Sequence, residues 1–384
     1  MIATLVGLVL SFGPGSKAEF CQTHCLFGIG GQVVVNDRYA RSPESIVESI
    51  DRSGMSTVAL VIHGGLVNAE SGLETAMSVD PSIRDVCYPV YYLWESGVPY
   101  SIAPPRAPRH ASRPDPAEPL AAVVPYPLKD ADRRLEIHSR PVGRAMWSNM
   151  NRYARLSSDP KMDDAVLIRF FRALAPVWKR KHLRVVLIGH SAGSIVITHL
   201  LERAEDACLA DKVDVVFLAP AVSYATLARR ADALSAWVSG FRMFALSDPV
   251  ERADRLLAIG GAMPKQLAGW YSASLLYYVS NNVESGRDTP LLGMERFYSL
   301  ATGRATESAR VLNESEMKAY QTVDDVLHIG RNTVWSHGPD PAESPYPNQP
   351  GWICNSVGHG RFWGDSATMQ SLHAILERPM PPKW

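Results

Sequence analysis

Residues 185–193 read Val-Val-Leu-Ile-Gly-His-Ser-Ala-Gly, and few patterns leave a chain less freedom. A short apolar run stops at G-x-S-x-G, and a helix-compatible segment, Ser194 to Glu202, begins at once. Strand, sharp turn and helix is the context in which this motif acquires meaning. The turn forces Ser191 into a strained backbone conformation. Only glycine at 189 and 193 lets neighbouring backbone pass so close. The hydroxyl is then held clear of the sheet at a helix N-terminus, where developing negative charge is favoured. Ser191 is therefore a candidate nucleophile. A plain strand-turn-helix corner is the alternative use of the same residues.

The rest of the chain supplies partners for such a strand. The spacing predicts strands over Gly31–Asn36, Thr57–Ile62, Val90–Trp94, Arg184–Ile188, Val213–Leu218, Phe241–Leu246 and Trp352–Val357. Between them lie helical patterns at Pro43–Arg52, Glu70–Val79, Arg144–Leu156, Asp164–Trp178, Ala225–Val238 and Ser366–Leu376. Ser42 as N-cap, Pro43 behind it and Gly54 beyond the end mark the first helix clearly. Buried strands alternating with helices predict an α/β fold, a mostly parallel doubly wound sheet with helices on both faces. The chain is long enough for one large domain or two ordinary ones. We expect residues 1–30 to be a leader or flexible N-terminus and 31–384 a single domain.

Two stretches break the alternation. Nine of the 29 positions in 99–127 are proline, which rules out a regular helix or a central strand there. It reads as an extended excursion, continuing to about residue 140. Residues 261–350 read as a cap-like or lid-like insertion holding an apolar segment, Trp270 to Val279. That segment suits the wall of an acyl pocket and a core helix equally well.

Charge narrows the function classes. Thirty-nine basic residues balance thirty-nine acidic ones, so no global field draws the chain to nucleic acid or an acidic membrane. The one basic run, Lys179 to His182 with Arg184, reads as a solvated loop. Five cysteines in loose spacing form no zinc motif, and Cys87 and Cys354 sit beside apolar runs as small core residues. Ile2–Leu10 with Ser16-Lys17-Ala18 has the outline of a secretory signal, although no Lys or Arg precedes the apolar run. A cytoplasmic chain is the reading, and a secreted one the alternative if 1–18 is a signal peptide. No segment is long and apolar enough to suggest a transmembrane span, and oligomeric state is not legible.

A serine nucleophile needs a base within hydrogen-bond reach, and the base needs a group to orient it. With the order Ser, acid, His, each after a strand, Asp248 directly after Phe241–Leu246 is the expected acid. It suits an N-cap as well. Asp254, inside the expected helix, and Asp214, at the other end of a strand, are the runners-up. His359, between Gly358 and Gly360 after the last expected strand, is the expected base. His337 in a Gly-flanked loop competes with it, but no expected strand delivers it. His328 and His373 read as helix-face residues, and His190 as a residue that packs or bonds locally. His63-Gly64-Gly65-Leu66 follows a strand and suits half of an oxyanion hole. The N–H groups of Gly65 and Leu66 would act with that of Ala192.

Together these residues resemble the α/β-hydrolase superfamily. The match covers roughly 31–98, 141–260 and 350–384. Tyr92-Leu93-Trp94-Glu95-Ser96-Gly97, Ser274 to Ser280 and Leu292-Gly293-Met294 resemble a little-characterised bacterial branch of it. The resemblance implies an α/β-hydrolase fold, a Ser191-Asp248-His359 triad, an acyl-enzyme and no metal or cofactor. The expected activity is esterase- or lipase-like hydrolysis of a small-molecule carboxylic ester. Amidase, peptidase or thioesterase action on the same triad is the first alternative, and a non-catalytic hydrolase-like binding protein the second. The fold implies no substrate. The gap from Asp248 to His359 is longer than a minimal member needs.

Overall fold

The apolar run before Ser191 becomes the middle strand of a nine-stranded sheet. The computed structural model describes residues 16–35, 41–96, 130–254, 271–284, 286–298, 308–338, 340–343, 346 and 349–380. The strands are β1 (Cys25–Ile29), β2 (Gln32–Val33), β3 (Thr57–Ile62), β4 (Tyr88–Trp94), β5 (Arg184–His190), β6 (Val213–Leu218), β7 (Val238–Leu246), β8 (Thr333–His337) and β9 (Asp340–Glu343). Their order is β2-β1-β4-β3-β5-β6-β7-β8-β9. Pairing is parallel from β1 through β8, while β2 and β9 close the two edges antiparallel. Every residue of β3 and β6 is buried. Successive side chains of a strand point to opposite faces, so burial without alternation requires cover on both.

Helices supply that cover. They include α1 (Ser16–His24), α2 (Pro43–Ser53), α3 (Ala69–Val79), α4 (Asp130–Leu156), α5 (Val166–Lys181), α6 (Gly193–Glu202), α7 (Tyr224–Ala228), α8 (Ala231–Trp237), α9 (Asp248–Ala253), α10 (Leu275–Tyr278), α11 (Glu314–Leu327), α12 (Ile329–Asn332) and α13 (Ser366–Glu377). Helix α2 packs on α5 and α4 on α6, while α3 lies against β4 and α13 against β3. The ends of α2 are those its sequence calls for. Ser42 accepts a bond from Ser45 N at 3.3 Å, and Gly54 takes φ 73°.

Several expectations need correction. Residues 16–30, expected within a leader or flexible terminus, form α1 and β1, with Cys21, Cys25, Leu26 and Phe27 buried. Of the expected strand Gly31–Asn36, Gln32–Val33 forms a strand among the described residues, and Gly30 and Gly31 (φ 59° and 85°) turn the chain back on β1. Helix α4 begins at Asp130 and runs through Pro141, where an excursion is expected. Proline removes one hydrogen bond there without ending the helix. The expected helix Ala225–Val238 is two helices, α7 and α8. The basic run is the last turn of α5 rather than a loop, with Arg180 and Lys181 paired to Asp51. Such cations suit a helix C-terminus.

The last expected strand, Trp352–Val357, is irregular. The edge of β8 that it would need is taken by β9. Its backbone is satisfied by side chains instead: Ser371 Oγ donates to Ile353 O at 2.7 Å, Asp365 accepts from Asn355 N at 2.8 Å, and Ser336 Oγ donates to Ser356 O at 2.7 Å. Thr333–His337 and Asp340–Glu343, expected within the insertion, belong to the sheet as β8 and β9. Tyr271, Leu276, Tyr277, Leu291 and Phe297 are buried core rather than an exposed flap. The expected leader residues 1–15, residues 99–129 of the proline-rich excursion, and residues 261–270 and 299–307 of the insertion lie outside the described residues. No helix among the described residues is long and apolar enough to cross a membrane.

Candidate active site

Strand β5 ends by turning at Ser191 into α6, and Ser191 takes φ 51°. A left-handed φ in a residue with a Cβ is a strained state that surrounding bonds must impose. They do so on both sides. Ser191 N donates to Leu218 O at 2.9 Å, while its carbonyl accepts from Ser194 N at 3.1 Å, Ala221 N at 3.1 Å and Ser194 Oγ at 2.6 Å. Both flanking glycines are sterically required. A Cβ at 189 would stand 2.9 Å from Gly193 C, and one at 193 would stand 2.5 Å from Ile62 O.

His359 Nε2 lies 2.9 Å from Ser191 Oγ. The two residues lie 168 positions apart in the sequence, and the fold brings them together. Both are nearly sealed, at 3% and 5% exposure, so the neutral imidazole dominates. Burial holds His359 well below the usual histidine pKa, with neighbouring His190 adding to the shift. His63 and His190 are pushed down to about 4 by the same cause.

The expected acid stands elsewhere than on the imidazole. Asp248 opens α9 behind Ser247 as N-cap, so the capping position falls one residue earlier than expected. Its Oδ1 accepts from Tyr277 OH and, at 2.5 Å, from Ser308 Oγ. Its Oδ2 is 3.1 Å from Arg252 Nε, and its N–H donates to Glu295 Oε2 at 2.7 Å. Among the described residues, neither Asp248 Oδ2 nor His359 Nδ1 makes a hydrogen bond, and both are buried. The carboxylate that does touch His359 is Asp254, which accepts the main-chain N–H of His359 at 2.6 Å. Asp254 caps the C-terminal end of α9 instead of lying inside it. Asp214 is bound to Arg184 and Ser239 on the N-terminal side of the sheet, consistent with a structural role.

The other histidines separate cleanly. His337 ends β8, so a strand does deliver it, contrary to expectation. His328 takes φ 47° at the junction of α11 and α12, and His373 on α13 pairs with Asp85 at 3.1 Å. A Cβ on Gly358 would stand 2.7 Å from Asp254 Oδ1 and displace that carboxylate, whereas a Cβ at Gly360 would meet nothing.

The loop after β3 packs on the serine turn. A Cβ on Gly64 would lie 3.1 Å from Ser191 Cβ, and one on Gly65 would lie 3.3 Å from Ala192 Cβ. Leu66 takes φ 62°. The end of β4 and the two residues after it hold this loop in place. Trp94 Nε1 donates to His63 O at 3.0 Å, Ser96 Oγ lies 3.2 Å from Gly64 O and 3.1 Å from Val67 O, and Glu95 accepts from Ala69 N at 3.3 Å. The stretch Trp94-Glu95-Ser96 thus has a concrete use that spacing alone did not reveal. The contacts of His190, Asp254, Tyr277 and Ser308 were likewise missed, because each depends on tertiary placement.

No protein-family model matches the chain, and none of the curated proteins matches it significantly.

Proposed function

We propose that this chain is a serine hydrolase of α/β-hydrolase type that cleaves carboxylic esters through an acyl-enzyme. The observation that carries the reading is the 2.9 Å approach of His359 Nε2 to Ser191 Oγ, on a serine held at φ 51°. Strain is stored where a nucleophile must be presented, and a histidine waits within proton-transfer distance. The sheet order supports the same reading, with the nucleophile after β5 and a carboxylate after β7, while His359 comes from the irregular segment beyond β8 and β9.

In this account Ser191 Oγ attacks the ester carbonyl as His359 Nε2 takes its proton. The N–H of Ala192, with those of Gly65 and Leu66, stabilises the oxyanion. His359 then gives the proton to the leaving alcohol; it next takes one from a water that attacks the acyl carbon, and passes it to Ser191 Oγ as the acid departs. To accept from Ser191, His359 must keep Nε2 bare and carry its proton on Nδ1. We assign that Nδ1 proton to Asp248 in the working complex, since catalytic hydrogen bonds are often long before substrate binds. The small-molecule ester is the one partner this account requires.

Hydrolysis of p-nitrophenyl esters from acetate to palmitate, with Ser191→Ala in parallel, tests the proposal. Turnover that the substitution abolishes supports it. Ester turnover that survives Ser191→Ala refutes it.

A further inference from the structure

His359 sits in an irregular segment, so no β-ladder fixes it. Its two main-chain polar groups are nonetheless both taken by side chains from different elements, the half-buried Asp254 and the buried His190. Its N–H donates to Asp254 Oδ2 at 2.6 Å, at the end of α9. Its carbonyl accepts from His190 Nε2 at 2.8 Å, at the end of β5. A carbonyl has no proton to give, so His190 must carry its own on Nε2. His190 immediately precedes Ser191. The serine turn therefore grips the base twice, through the His190 side chain and through Ser191 Oγ.

We propose that His190 and Asp254 form a clamp on the main chain of His359 and are positioning residues for it. This rests on the Ser191–His359 reading above and extends it. Both hydrogen bonds of the clamp are made to peptide groups and neither is made to the imidazole, which meets His190 by ring packing alone. The clamp fixes where the ring is anchored, and it leaves the tautomer to a separate group. Gly358 belongs to the device, because a Cβ there would stand 2.7 Å from Asp254 Oδ1 and push the carboxylate away. The packing of the two rings, 5.2 Å between centroids, completes the contact between turn and base.

A main-chain clamp has a signature that a charge-bearing triad acid lacks. Asp254 needs only an acceptor, which asparagine retains, and His190 needs only a donor near Nε2, which glutamine retains. We would compare Asp254→Ala with Asp254→Asn, and His190→Ala with His190→Gln, in the full chain. Two readouts serve: kcat and KM on a p-nitrophenyl ester, and hydrogen–deuterium exchange of peptides spanning 352–363. Each alanine variant is expected to lower kcat roughly 10- to 100-fold with KM changed less than about threefold, as misplacement of a reacting group by ~1 Å does. Each should also speed exchange in 352–363 while peptides from β3 and β6 stay protected. Asp254→Asn and His190→Gln should recover most of both losses. If Asp254→Asn is as damaged as Asp254→Ala, Asp254 acts through its charge and the clamp is wrong. Unchanged exchange in both alanine variants overturns it as well. Should an alanine variant fail to fold, Asp254→Ser and His190→Asn, whose groups fall short, put the same question. A wild type without Ser191-dependent turnover would refute the hydrolase reading alone, and the exchange data would still decide the clamp.

Discussion

At the residue scale the site turns on which nitrogen of His359 holds its proton. The base needs a bare Nε2 toward Ser191, and a buried Nδ1–H without a partner is costly, on the order of 1–3 kcal/mol. A group that meets that proton only in the working complex adds its stabilisation where catalysis uses it. Asp248→Asn should therefore lower kcat by about 10³–10⁴-fold, the loss expected when an orienting acid becomes an amide. Steady-state rates at saturating ester check this, and a loss below tenfold would remove Asp248 from the role. The same histidine sets a pH limit. Burial lowers its pKa, so the neutral form persists below the usual histidine range. The acid limb of kcat/KM, which reports the free enzyme, should have its midpoint below 6.5. A midpoint at or above that value would mean the imidazole is solvated or already paired with a carboxylate. These roles were only partly legible. Ser191 and His359 are marked by local motifs, but Asp254 and His190 act on peptide groups more than a hundred positions away, and no local pattern encodes that.

At the element scale the serine turn is the most fully specified part. Its glycines are dictated by backbone contacts, and backbone carbonyls cannot step aside as side-chain ends do. Gly193→Ala would push a Cβ to 2.5 Å from Ile62 O and 3.0 Å from His63 O. It should cost about 1–3 kcal/mol, the usual price of overpacking, and move the His63–Leu66 loop. Urea melts would show it, and a change under about 0.5 kcal/mol, the ordinary surface effect, would contradict the packing. Legibility followed the same logic. Strands β3, β5 and β6 were readable because continuous apolar runs between turn signals have few other uses. Strand β1 was not, being five residues long with a glycine inside. Gly28 is there because Tyr92 crosses it, its hydroxyl 2.5 Å from where a Cβ would sit. Trp352–Val357 looks like a strand but has no edge to join, and sequence cannot show that β9 has taken it.

At the scale of the whole molecule, the described parts of the long connection from β7 to β8 are tied down by buried charge as well as by apolar packing. Arg296 is 2% exposed and meets Asp288 at 2.8 Å; Arg310 reaches the same carboxylate at 2.9 Å and Glu316 at 2.5 Å. Removing Asp288 takes from buried Arg296 the carboxylate it meets in a low-dielectric site, while Arg310 keeps Glu316. Asp288→Ala should destabilise the fold by about 3–5 kcal/mol. Denaturation of the variant beside wild type measures this, and a loss below about 1 kcal/mol, the range of a surface pair, would mean the network is solvated. The connection also holds Tyr277 and Ser308 against Asp248. It therefore links overall stability to the candidate acid.

The central claim is that Ser191 is an activated nucleophile. A fluorophosphonate probe applied to the folded wild type, followed by peptide mass mapping, tests it most directly. The account predicts a single covalent adduct on Ser191, blocked in His359→Ala. An unlabelled Ser191 in folded protein, or labelling that His359→Ala leaves intact, would contradict it.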